Sequence, residues 1–418
     1  MACAICGGTI WNSYSQVIWE KCEDRGRDGK GLSILENGSW IGIRRAAPST
    51  EVENPIDPQP VGVDPKIVFN GVISNSEQLG VKVGETDASV LPRVLDFKSL
   101  ESFRNSLSKI VGSYAIAVLF QSMGEIWLAA NYKPIWIYRC RETNNLFFSS
   151  LQHHLPNDGF GAFKFPPYSV ASLTDELSHI LDIPRSQPDR ALVICSSGLD
   201  STIVASEAIR RHSEIRLLYF DYGCLASKIE KRKIQEIAEF FNCSYDIFPL
   251  KFCFFKSSPL LGDPDKLAAK VIGAEYGYEW VPARNLILLS ITVGYAESHA
   301  YGYIYLGTNL EEAGSYPDNE EQFIRDFDGL LYSAVQNGVK VSIKTPLGGL
   351  MKHEIVALGV KHKVPFDLTW SCYRGQEVHC GECGSCYMRK IAFKRNQLKD
   401  PAFKHEWSSD FWKDCNLF

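Results

Sequence analysis

Two stretches of this sequence carry residues whose types and spacing suit chemistry. The first is ALVICSSGLDSTIV, residues 191–204. Ala191 to Cys195 is an apolar run of strand length. Ser196 to Ser201 are small or polar apart from Leu199, and a helical pattern begins at Thr202. A buried strand that turns tightly into a helix points free backbone N–H groups and the positive end of the helix dipole at one spot, which suits an anion. Gly198 permits close backbone approach, and Ser196, Ser197 and Ser201 add hydroxyl donors. Asp200 suits such a site only through a cation or through donors that offset its charge. The GxxxxGK[ST] pattern of a Walker loop is absent. The second stretch holds Cys372, Cys380, Cys383 and Cys386 at the spacing C-x7-C-x2-C-x2-C. Four thiolates so spaced suit one tetrahedral zinc ion, and a closed four-sulfur site is structural rather than catalytic. Arg374, Arg389 and Lys390 flank it with positive charge, and His379 is surplus to it.

The elements that must position these residues alternate. Within residues 189–395, strands at 216–223, 245–250, 303–308 and 341–347 alternate with helices at 201–212, 228–241, 285–299, 319–336 and 351–361. The fold class expected is α/β, a doubly wound parallel sheet with ligands at the carboxyl ends of its strands. Residues 252–280 read as a lid or substrate loop. Residues 1–156 read as an α+β domain, with strands at 40–45, 66–74, 113–120, 125–131 and 145–150 and helices at 87–97 and 99–110. Asn70-Gly71 and Met123-Gly124 read as turns. Residues 157–188 read as a linker with one amphipathic helix, SLTDELSHILD. Residues 396–418 form a tail with an apolar stripe of Trp407, Phe411 and Trp412.

With 418 residues, 45% hydrophobic and 22% charged, the chain is expected to be soluble and to hold two or three domains. A net charge of −5 gives no global drive toward nucleic acid. The start lacks a basic segment followed by an apolar core, and no run approaches the roughly 18 apolar residues of a spanning helix. A cytoplasmic location follows as the expectation, with the 13 cysteines kept reduced.

Residues 196–201 resemble the SGGxDS pyrophosphate loop of the PP-loop ATP pyrophosphatases, with Ser197 in place of the first glycine. The cysteine segment, DLTWSCYRGQEVHCGECGSCYMRKIAFK, resembles the C-terminus of QueC, the 7-cyano-7-deazaguanine synthase family. LLYFDYG, EWVPARNLILLSITVGYAE, YIYLGTNLEEAGSYPD and TPLGGLMKHEIVALGV agree with that family in order. The resemblance implies ATP, Mg²⁺ and Zn²⁺ as cofactors and 7-carboxy-7-deazaguanine as substrate. Its carboxylate attacks the α-phosphate of ATP, an amine displaces AMP, and a second adenylation dehydrates the primary amide to a nitrile. Ser196, Ser197, Gly198, Leu199, Asp200 and Ser201 would cradle pyrophosphate. Arg284 and Lys352 would be phosphate cations. Asp200 and Ser201 join them as expected catalytic residues. Asp318, Arg284 and Asn285 would contact the substrate. Two departures stand out: YPDNE where the family has YPDCR, placing Glu320 at an arginine position, and Cys224 where the family has glutamine after Tyr222-Gly223.

The N-terminal region resembles the glutaminase domain of N-terminal-nucleophile hydrolases, through RGRDG, IGIRRA, FNGVISNSEQL, ETDASV, VGSYAIAV and NYKPIWIY in family order. The resemblance assigns the glutamine site to Cys3, Arg45, Asn70, Gly71 and Asp87. The sequence begins Met-Ala-Cys, so the Cys3 nitrogen is expected to be a peptide amide that cannot serve as a base, and the domain to be inactive. Together these features resemble the QueC-like proteins of anti-phage defence (type IV CBASS and Qat systems). That likeness implies a partner protein's amine as acceptor, the alternatives being ammonia in ordinary nitrile synthesis or an inactive scaffold. A homodimer is compatible with this reading; direct nucleic-acid or membrane partners are not expected.

Overall fold

The computed structural model describes residues 3–46, 58–157, 161–173, 177, 179–250, 258–261, 280–335 and 339–403. The aromatic tail and most of the expected lid lie outside the described residues. The chain divides into two compact units, Met1–Ser186 with Tyr332–Gly338, and Gln187–Leu331 with Val339–Phe418.

The first unit contains strands β1 (Ala4–Gly8), β2 (Gly29–Ile34), β3 (Trp40–Arg45), β4 (Lys66–Ile73), β5 (Gly112–Leu119), β6 (Ile126–Ala130), β7 (Trp136–Arg139), β8 (Leu146–Ser149), β9 (Phe163–Lys164), β10 (Ser169–Ser172) and β11 (Leu181–Asp182). They form a six-stranded sheet, β2-β3-β1-β8-β7-β9, and a five-stranded sheet, β11-β10-β6-β5-β4, both antiparallel. The period of two explains why β5 is buried throughout. Ala115, Ala117 and Leu119 enter a core shared with Ile5, Ile43 and Phe148 of the other sheet. Tyr114, Ile116 and Val118 face Leu91 and Phe103 of α2 (Leu91–Val94) and α3 (Leu100–Ser106). Helix α1 (Ser13–Lys21) contributes Ile18 to a third core, against Cys6, Trp40 and Phe147.

Two expectations are corrected here. Residues 157–188 are not a plain linker, and the middle of the helix expected there, residues 174–176 and 178, lies outside the described residues. Ser169–Ser172 pairs with β6, and Leu181–Asp182 pairs with β10, so this segment completes a sheet edge. At the two ends of SLTDELSHILD, Ser172 and Leu181–Asp182, ladder hydrogen bonds to an existing strand take precedence over the helical period. Asn70-Gly71 is not a turn but lies inside β4, paired with Ala115 and Tyr114. A Cβ on Gly71 would stand 1.9 Å from the Ser113 carbonyl oxygen, so the glycine serves close strand approach.

The second unit contains β12 (Arg190–Ile194), α4 (Leu199–Ile209), β13 (Glu214–Asp221), α5 (Ser227–Phe241), β14 (Ser244–Pro249), α6 (Arg284–His299), β15 (Tyr303–Tyr305), α7 (Leu310–Ala313), α8 (Glu321–Ala334) up to Leu331, β16 (Ser342–Lys344), α9 (Lys352–Lys361) and α10 (Gly384–Arg395). The sheet order is β14-β13-β12-β15-β16, with every neighbour parallel. The order reverses between β12 and β15, and ligands of such sheets bind outside the carboxyl ends of strands at that point. Ala191, Val193, Leu217 and Tyr219 of the sheet pack with Ile203 of α4, Ile234 of α5 and Val356 of α9. Among the described residues no helix is long and apolar enough to cross a membrane.

Candidate active site

The reversal point opens a cavity of about 190 Å³. Its floor is the turn between β12 and α4. Gly198 is the N-cap of α4 and no side chain caps the helix, which leaves its first N–H groups free to meet an anion. Ser196 and Ser201 hydroxyls lie 3.3 Å apart beside them, and Thr202 Oγ1 donates to the Gly198 carbonyl at 2.7 Å. Ser197 has φ +60°, the left-handed region, and its buried hydroxyl has no partner. The backbone there asks for glycine, the residue the resembling loops carry. Gly307, after β15, packs beneath the loop: a Cβ on it would meet the Ser201 nitrogen at 3.2 Å.

Asp200, in the first turn of α4, sits in a buried charge cluster. Its Oδ2 accepts from Lys352 Nζ at 2.5 Å and from Asn309 Nδ2 at 2.9 Å. Lys352 also reaches Glu312 at 3.3 Å. Burial opposes the Lys352 ammonium, but Asp200 and Glu312 outweigh it and hold the amine above the usual lysine range. Burial pushes the Asp200 carboxyl up against the pull of Lys352. Burial also works against Glu312, which Lys352 nonetheless holds below the usual carboxylate range. Asp200 Oδ1 is buried without a hydrogen-bond partner. A lone buried carboxylate oxygen beside free helix N–H groups fits a hard divalent cation carried by a nucleotide, so Asp200 and the Ser201 hydroxyl would hold Mg²⁺. That ion would offset negative charge on the phosphates.

Arg284 opens α6, and its Nη1 donates to the Tyr222 hydroxyl at 3.3 Å. Burial disfavours its charge, but Tyr222, Tyr373 and Asp318 together raise its pKa. Asn285 and Asp318 fasten each other: Asp318 Oδ2 accepts from the Asn285 backbone N–H at 2.8 Å. Asp318 is therefore engaged as a helix cap, and Asn319 rather than Asp318 lines the cavity. Opposite the loop, Glu230 of α5 accepts from the Tyr219 hydroxyl at 2.9 Å and the Cys224 thiol at 3.5 Å. Asn309, Glu312 and Glu230 were not foreseen from sequence. Asn309 and Glu312 follow a strand end, a usable signal, whereas Glu230 sits in an ordinary amphipathic helix with none.

The four cysteines converge, each sulfur within 4.8 Å of the others. Tetrahedral zinc–thiolate bonds of about 2.3 Å put sulfurs about 3.8 Å apart, so a small inward shift of this set fits zinc. Backbone N–H groups of Glu382 and Cys383 donate to Cys380 Sγ, both at 3.4 Å. Arg389 does not face the sulfurs: it makes a buried pair with Asp400 at 2.8 Å and 3.0 Å. Arg374 pairs with Glu382, and Lys390 donates to the Gly381 carbonyl. His379 accepts from the Ser371 N–H at 3.0 Å and packs on Trp370. Trp370, Ser371, Tyr373 and Ser385 of this segment form one wall of the cavity.

In the first unit, Cys3 precedes β1 and its thiol donates to the Ala46 carbonyl at 3.7 Å, with Arg45 ending the paired β3. Asn70 Nδ2 donates to Ser150 Oγ at 3.3 Å, and Ser150 Oγ accepts from the Ile5 N–H at 3.0 Å. Asp87 Oδ2 accepts from the Ile73 N–H, holding it against the end of β4.

Residues 190–397 match the family described as Queuosine biosynthesis protein QueC. A 7-cyano-7-deazaguanine synthase of Sulfolobus acidocaldarius is 36% identical over 460 residues, covering 96% of this chain and 99% of that protein. The chain belongs to the QueC family. It is an ATP-dependent enzyme that forms C–N bonds. A QueC relative from Methanothrix thermoacetophila, also called 7-cyano-7-deazaguanine synthase, is 36% identical over 220 residues, 51% of this chain and 97% of that protein. The glutamine phosphoribosylpyrophosphate amidotransferase from B. subtilis aligns over 92% of this chain and 96% of that one, at 13% identity and a TM-score of 0.35, too loosely to carry an argument.

Proposed function

We propose that the second unit activates the carboxylate of 7-carboxy-7-deazaguanine with ATP and passes the acyl group to ammonia, on the way to 7-cyano-7-deazaguanine. The supporting observation is the uncapped start of α4 beside the Asp200–Lys352–Glu312 cluster within one cavity. A carboxylate oxygen attacks the α-phosphate, and pyrophosphate leaves toward the free N–H groups and the Ser196 and Ser201 hydroxyls. Lys352 and Arg284 stabilise the growing phosphate charge, and the walls orient the heterocycle. Nitrogen then displaces AMP. The near-full-length likeness to a protein carrying the synthase name supports ammonia as acceptor.

A second reading keeps the adenylation and makes the acceptor a partner protein's amine in anti-phage defence. The altered position Cys224 favours it, since this thiol touches Glu230 on the cavity wall. Glu320, the other departure, is exposed and outside the cavity lining. The experiment incubates the protein with ATP, 7-carboxy-7-deazaguanine and ammonia, following AMP, pyrophosphate and nitrile by mass spectrometry. Nitrile formation supports the first reading. An acyl-sized mass increase on a co-expressed neighbour, without nitrile, overturns it in favour of the second. A glutamine arm with Cys3→Ala as control reads the first unit: glutamate release lost in that variant would overturn the expectation of an inactive glutaminase.

A further inference from the structure

Three carboxylates line the cavity: Asp200, Glu230 and Glu312. Asp200 and Glu312 share the Lys352 ammonium, and the Asp200 Oδ1 left without a partner is the oxygen that would hold Mg²⁺. Glu230 differs. No cation among the described residues lies within ion-pair distance of it, and its hydrogen-bond partners are neutral donors, the Tyr219 hydroxyl and the Cys224 thiol. It is only partly buried, and its accessible part belongs to the cavity lining.

The second half of the proposed reaction needs such a group. When an amine attacks the acyl-adenylate, the C–N bond forms, the C–O bond to AMP breaks, and AMP departs with that electron pair. The nitrogen must then lose a proton. Lys352 and Arg284 hold protons too firmly to accept one, Lys352 holds Glu312 below the usual carboxylate range, and Asp200 is engaged by Lys352 and by the cation it would hold. We propose that Glu230 is the base that takes the amine's proton during acyl transfer, an inference that rests on the function proposed above.

The surroundings fit the task. Burial is the main influence on Glu230 and raises its pKa to about 7. Tyr219 of β13, Cys224 of the following loop and Arg284 of α6 pull it down, and Asp221 of β13 pushes it up. Beside it on α5, Lys231 is held by Asp221 at 2.7 Å. A base that titrates near working pH combines a useful anionic fraction with real proton affinity. Capture therefore rises with pH as Glu230 loses its proton.

The test separates the two halves. Pyrophosphate exchange into ATP, dependent on 7-carboxy-7-deazaguanine, reads adenylation alone. Amide and nitrile formation at a fixed concentration of unprotonated ammonia, from pH 6 to pH 9, reads capture. Glu230→Gln should keep exchange within about threefold while capture falls by about 100-fold or more and loses its rise near pH 7. Glu230→Asp should restore part of the capture and the pH dependence; if the Gln variant fails to fold, the Asp variant must itself show exchange kept and capture reduced. Unchanged capture and pH profile in Glu230→Gln would overturn the inference alone. So would loss of exchange in parallel with capture, which marks a substrate contact and not a base. Absence of acid-dependent exchange in the wild type would overturn the proposed function and this inference with it.

Discussion

The Trp370 N–H donates to the Ser197 carbonyl at 2.8 Å, so the cysteine-rich segment and the phosphate loop are hydrogen-bonded directly. Trp370 Nε1 also donates to the Cys372 carbonyl at 2.8 Å. One residue thus joins the four-cysteine cluster, through its indole, to the strained residue of the loop, through its backbone N–H. A metal that orders the cysteines orders the cavity wall as well.

Zinc removal should consequently weaken nucleotide binding, although no cysteine contacts the nucleotide in the proposed chemistry. Cys383→Ser is expected to lower zinc content from one ion per chain toward none and to destabilise the second unit, because metal binding is folding free energy. The protection that ATP gives against thermal unfolding should fall with it. Elemental analysis and ligand-dependent melting check both parts. A zinc-free wild type with normal ATP protection would refute the coupling.

Ser197→Gly should stabilise the protein. Ser197 holds a left-handed φ of +60° with a buried hydroxyl that lacks a partner. Relief of both penalties is opposed by the greater backbone freedom of glycine when unfolded, leaving a gain of about 1 kcal/mol. For a unit of this size the melting temperature should rise by about 2–4 °C. A fall in melting temperature would mean that the serine hydroxyl has a role in the loop.

Much of this was legible in the sequence because period and punctuation agreed. ALVICSSGLDSTIV announces strand, turn and helix, and the structure has β12, the loop and α4 in that order. The cysteine spacing announced a four-sulfur set, and the sulfurs converge. What sequence hides is which partner a charge takes. Arg389 lies three residues after Cys386 yet serves Asp400, since a wholly buried guanidinium needs a carboxylate of matching geometry. Asp318 in YPD was a candidate to bind a heterocycle, and its Oδ2 accepts from the Asn285 N–H at the start of α6. SLTDELSHILD, residues 172–182, looked helical in isolation, but at Ser172 and Leu181–Asp182 an open sheet edge offered the backbone better partners.

Breaking the Arg389–Asp400 pair should be costly. Arg389 is fully buried and also donates to Thr369 Oγ1 at 2.7 Å and the Phe366 carbonyl at 2.9 Å. Asp400→Ala leaves an unpaired buried cation and is expected to cost about 3–5 kcal/mol in urea unfolding of the second unit. The double variant Arg389→Met with Asp400→Leu should recover much of that loss, since the stranded charge is gone. Equal destabilisation in the single and double variants would show that the hydrogen bonds to Thr369 and Phe366 matter more than the charge pair.

Lys352 couples stability to catalysis, and its variants should separate the two. Its ammonium neutralises Asp200 and Glu312 at once. Lys352→Met strands the largely buried Asp200 carboxylate beside the partly exposed Glu312 and is expected to destabilise the second unit by about 3 kcal/mol. Lys352→Arg keeps the charge but spreads it over a planar fork that does not fit the point-like ammonium position. The arginine variant should recover most of the stability and little of the adenylation, with acid-dependent pyrophosphate exchange at least about 100-fold below wild type. The physical reason is that neutralisation needs only charge nearby, whereas stabilising a transferring phosphate needs a donor at one point. Urea unfolding and exchange assays on the same preparations check the pair. Exchange near wild type in Lys352→Arg would show that Lys352 acts through charge alone and would shift the positioning role to Arg284.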